Sequence, residues 1–187
     1  MQSKPLPRNP TDLRADRETE LKDFIEASLL CADQIGPASV LLVARSPESV
    51  AFQSLFSLSG ALARRAISAR VVVMSGEPGE RWNVEFEPGF QHEIRLGHDV
   101  RLLDAHEQII AGGAAVWFGD SMRREPERRD AFCQFNRDNN EMARRARMTF
   151  DHLWSVCRPL HRHEFALAGS LSAAAETLSV WQPVTRN

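Results

Sequence analysis

The chain has 187 residues, 43% of them hydrophobic, which suits one domain whose core needs no disulfide or metal staple. A formal net charge of −2 excludes a protein held to nucleic acid or membrane by bulk charge. Lysine occurs only at Lys4 and Lys22 and tyrosine nowhere, so the body of the chain has no Walker-A phosphate loop, Schiff-base lysine or tyrosine-based catalysis.

Residues 1 to 10 contain three prolines and read as a flexible arm; residues 11 to 187 read as a single domain. Thr11 is expected to cap a helix whose inward positions Leu21, Phe24, Ile25, Ser28 and Leu29 follow the helical period, with Gly36-Pro37 as its stop. Val40–Val43 is a short continuous apolar run, as in a strand buried on both faces. Ser46-Pro47-Glu48 then predicts a capped helix reaching about Ile67, and Arg70–Met74 a second buried strand. Together these form a right-handed βαβ unit.

Trp82, Val84 and Phe86 alternate with polar residues, predicting a half-exposed strand before the Pro88-Gly89 turn. Ile94–Leu96, Val100–Leu103 and Gln108–Phe118 predict further strands, the last two joined by a turn over Asp104–Glu107. Gly112-Gly113 is expected to permit a bulge in the strand. From Asn139 to Cys157 an apolar stripe of Met142, Ala146, Phe150, Leu153 and Trp154 predicts a long helix ended by Pro159. Phe165, Leu167, Leu171 and Leu178 suggest one more helix. The expected fold is a three-layer α/β domain with a mixed, mostly parallel sheet flanked by helices.

Three cysteines without CxxC spacing suggest reduced thiols, and the N-terminal residues lack the apolar core of an export signal, so a cytoplasmic location is expected. No run is apolar and long enough to span a bilayer. No GxSxG elbow, HExxH helix or GxGxxG fingerprint occurs. His161 and His163 lack a third ligand or a CxxC, so neither a metal nor a cofactor is expected.

The segment from Glu93 to Ser121 carries the chemistry. It presents Glu93-Ile-Arg, then His98, an apolar strand ending in Asp104, a second apolar strand, and the turn Gly119-Asp120-Ser121; Phe150-Asp-His-Leu-Trp154 follows on the long helix. Following a βαβ unit, this order resembles the phospholipase D-like superfamily over roughly residues 38 to 158, as a single degenerate half-domain. That resemblance implies a histidine nucleophile at His98 and an aspartate at Asp104. The family's lysine has no counterpart: Asp99 and Val100 follow His98, and Asp104 lies one residue closer than the family pattern. One residue of slip turns a strand side chain to the other face. Arg101 is the nearest cation, and Asp120, Ser121 and Arg123 stand where the family has its Gly-Ser turn and asparagine.

Three readings follow. In the first, the chain is a catalytically silent phospholipase D-like domain acting as an interaction or regulatory module, a homodimer by analogy with single-half members of that family. In the second, it is a metal-independent phosphodiesterase or nuclease, with His98 and Asp104 catalytic and Arg101 or Arg123 replacing the lysine. In the third, the arginines Arg123, Arg124, Arg128, Arg129, Arg144, Arg145 and Arg147 bind a nucleic acid or a phosphorylated ligand. Each residue also has a plainer role: His98 as a loop histidine after Gly97, Asp104 as a turn residue, and Asp120 and Ser121 as caps.

Overall fold

The computed structural model describes residues 10–30, 39–74, 87–97, 105–123 and 132–160. The chain enters through helix α1 (Pro10–Leu30), which buries Leu21, Phe24 and Ile25 completely. Pro10 is the first helical residue, where its missing N–H costs nothing, and this places the expected cap Thr11 inside the helix. The arm and the Gly36-Pro37 stop lie outside the described residues.

Strand β1 (Ser39–Ala44) follows, with its apolar residues shut from water, and its continuous run reflects helices on both faces. The next helix starts later than expected. Ser46 supplies only a carbonyl to the Ser49 amide, and it is Ser49, extended at φ −63° and ψ 146°, whose hydroxyl accepts from the Phe52 amide. The helix is also two pieces, α2 (Val50–Ser57) and α3 (Ser59–Arg64), divided at Leu58. Ser57, Ser59 and Gly60 are weak helix formers, and the Ser57 hydroxyl donates back to the Ser54 carbonyl. Strand β2 (Ser68–Val73) returns parallel to β1, completing the expected βαβ unit.

The Pro88-Gly89 turn is present, with Gly89 at φ +90°, and leads into β3 (His92–Leu96), parallel to β2. The segment around Gly112-Gly113 departs from expectation. The stretch read as one bulged strand is a hairpin of β4 (His106–Ala111) and β5 (Ala115–Ser121), turning at Gly112 with φ +65°. Consequently His106 and Glu107 begin β4 instead of forming a turn, and Asp120 and Ser121 end β5 instead of following it. The irregularity in the ladder falls between His106 and Gln108. Short strands β6 (Gln134–Asn136) and β7 (Arg158–Pro159), absent from the sequence reading, close the two edges. Between them, α4 (Asn140–Val156) begins on Asn139, whose side chain accepts from the Met142 amide. The strands expected at residues 82–86 and 100–103, and the last helix, lie outside the described residues.

The sheet order is β6-β5-β4-β1-β2-β3-β7. Only β1–β2 and β2–β3 pair in parallel; the other four described pairings are antiparallel, so the sheet is mixed and not mostly parallel. Tight hairpins join only antiparallel neighbours, whereas parallel strands need a crossover like α2–α3. Two apolar cores result. One lies between α1, α2 and the sheet, around Phe24, Phe52, Leu55, Val71 and Ile109. The other lies under α4, around Leu41, Val43, Ile110, Phe150 and Leu153. Three layers are thereby established.

Candidate functional site at the carboxyl edge of the parallel strands

Because β1, β2 and β3 run the same way, their carboxyl ends share one edge, and the antiparallel β4 starts and β5 finishes there. α/β folds generally display ligand-binding groups at such an edge. It carries Arg45 immediately after β1, His106 and Glu107 opening β4, and Asp120, Ser121 and Arg123 closing β5.

Three of these charged groups are buried: Arg45 at 7% exposure, Glu107 at 4% and Asp120 at 2%. Burying an ion costs several kcal/mol unless hydrogen bonds replace its water, so the partners matter. A Glu107 carboxylate oxygen accepts from the Arg45 backbone amide at 3.0 Å, closing the free end of β1. The Arg45 guanidinium donates to the Ser121 carbonyl at 2.7 Å, tying β1 to the end of β5 across the sheet. Asp120 accepts from the Phe132 amide at 2.9 Å and fixes the approach to β6. The Ser121 hydroxyl accepts from the Arg123 amide at 3.3 Å.

His106 and Arg123 are the exposed members, and His106 carries the ring. The His106 Nδ1 lies 2.9 Å from the Gly119 carbonyl, and a carbonyl only accepts, so Nδ1 is the donor in this pair. The Phe132 ring meets it edge-on at 5.9 Å. Gly119 is required here: a Cβ would come within 2.4 Å of the Trp117 ring and 3.2 Å of the Glu107 Cβ. The Trp117 indole N–H in turn donates to the Cys133 sulfur at 3.1 Å.

Of the residues singled out from the sequence, Asp120, Ser121 and Arg123 gather at this edge, while His98, Arg101 and Asp104 lie outside the described residues. Arg45 and Glu107 were missed. Their signal was available in part, since Arg45 directly follows a doubly buried strand. Glu107 was obscured by its assignment to a turn.

Elsewhere, Arg144 and Arg145 both bond to Glu141, and Arg147 donates to the Gly112 carbonyl. Burial pushes the Cys157 thiol up, partly offset by Arg95. Among the described residues no three His, Cys, Asp or Glu side chains are grouped to hold a metal, and no helix is long and apolar enough to cross a membrane. No protein-family model, curated protein or solved structure matches the chain.

Proposed function

We propose that the chain is a catalytically silent, phospholipase D-like domain that serves as an interaction or regulatory module. The observation that carries this reading is the engagement of the Asp120–Ser121 polar groups within the fold, by two backbone amides and one guanidinium. Asp120 holds Phe132, the Ser121 hydroxyl holds Arg123, and its carbonyl is held by Arg45. A catalytic turn keeps such groups facing substrate; here they hold the ends of strands. The absent lysine and the shortened His98–Asp104 spacing point the same way.

The domain would act by presenting surface to a protein partner or to a second copy of itself, the latter by analogy with single-half relatives of that superfamily. The arginine-rich alternative is weakened at α4, where Arg144 and Arg145 share Glu141. Purified protein is expected to give no turnover of bis(p-nitrophenyl) phosphate above buffer. Turnover that survives EDTA and disappears in His98→Ala would establish the opposite, a metal-independent phosphodiesterase with Arg101 or Arg123 in the lysine's place. Light scattering after gel filtration reads the dimer directly, and a monomer at micromolar concentration removes it.

A further inference from the structure

A second cluster lies on β2, β3 and α4, on the face of the sheet that α4 covers. Strand β2 is interior to the sheet, and alternation places Arg70, Val72 and Met74 on the face toward α4. Val72 and Met74 join the apolar core there. Arg70 stands where a third apolar residue would be expected. Its guanidinium lies 5.5 Å from the ring centroids of both Phe150 and Trp154. Among the described residues it makes no hydrogen bond and no ion pair.

Arg95, paired with Val72 in the β2–β3 register, faces the same way. Its guanidinium sits 4.3 Å from the Trp154 centroid. One Nη donates to the Trp154 carbonyl at 2.7 Å, the other reaches Glu93 at 3.3 Å, and Nε is buried without a hydrogen-bond acceptor. The Trp154 indole N–H has no acceptor among the described residues either. Glu93, the one acid touching the cluster among the described residues, keeps 55% of its side chain in solvent.

This shelf between α4 and β3 therefore gathers donors and positive charge around one indole, with too few acceptors among the described residues. A guanidinium keeps its N–H groups in one plane, where a multi-oxygen anion can take two at once. We propose that the shelf is a binding site for the phosphate group of a small phosphorylated metabolite, gripped by Arg70 and Arg95 with Trp154 as its wall. A phosphate dianion offers oxygens for the Arg70 fork and for the second proton of an Arg95 Nη together, whereas a single carboxylate is filled by the fork alone. Half-exposed Glu93 borders the shelf and opposes an extended polyanion, so the ligand is small. No group of the carboxyl edge takes part, so the site does not depend on the phospholipase D-like reading.

The test is titration of the full chain with inorganic phosphate and with 5′-AMP at constant ionic strength, following indole fluorescence and melting temperature against chloride. Saturable binding is expected. Arg70→Met keeps the packing over Phe150 and Trp154 and is expected to weaken binding roughly tenfold or more, as losing a hydrogen bond to a charged group does. Arg70→Lys, which keeps the charge but not the fork, is expected to weaken it as well. Each variant's melting temperature in chloride reports that it is folded. No saturation by either probe overturns the site, as does unchanged affinity in folded Arg70→Met. Tighter binding of a single-stranded oligonucleotide than of 5′-AMP overturns the small-metabolite assignment.

Discussion

A methyl group at position 119 has no room. It would sit 2.4 and 2.7 Å from two carbons of the buried Trp117 ring, which fills the space over the end of β5. Gly119→Ala is therefore expected to destabilise the fold by about 1–3 kcal/mol, the usual cost of overpacking, read as a lower urea midpoint. The opposite holds at Ala66, an exposed residue at φ +53° after α3. The Ile67 amide bonds back to the Leu62 carbonyl there, closing the helix end around a left-handed residue. Ala66→Gly removes the Cβ clash, worth about 1–2 kcal/mol, against a smaller loss from the greater freedom of unfolded glycine. A net rise in stability of up to about 1 kcal/mol is expected, read in the same unfolding experiment.

At the scale of elements, α4 shows how local chemistry and burial divide the work. Its buried stripe of Ala143, Ala146, Phe150 and Leu153 follows the helical period, so its existence was legible from the sequence. Its first turn adds a titratable device. Glu141 accepts hydrogen bonds from Arg144 and Arg145, and these, with their positive charge, hold its carboxyl below the usual range. A depressed pKa means the folded state binds this proton less tightly, so the stabilisation is present at neutral pH and is lost as acid protonates the group. Melting temperatures of wild type and Glu141→Gln should differ at pH 7 and converge as the pH falls through the carboxylate range; a gap constant with pH contradicts the pairing. The β4–β5 hairpin was less legible. Gly112-Gly113 fits a bulge as well as a turn, and only the pairing of Ile110 with Val116 decides between them. Likewise the break at Leu58 rests on weak propensities in Ser57, Ser59 and Gly60, which tertiary packing can override in either direction.

Across the whole molecule, Arg45 joins parts of the chain 76 residues apart by donating to the Ser121 carbonyl. Arg45→Met leaves that carbonyl short of a donor in a largely buried setting, and a loss of about 1–3 kcal/mol is expected, measured by urea unfolding. The run Val40–Val43, the stripes of α1 and α4 and the βαβ crossover were determined by the sequence alone, because hydrophobic periodicity and chain connectivity are local properties. The lack of lysine-based chemistry beyond Lys22 was determined the same way, by composition. The strand order, the edge strands β6 and β7 and the meeting of Arg45, Glu107, Asp120 and Ser121 were decided only by the tertiary structure. Those depend on which strands hydrogen-bond across long separations, and no local pattern encodes that choice. The pairing of Arg70 and Arg95 over Trp154 belongs with them: three residues on β2, β3 and α4 become one surface only when the helix lies across the sheet.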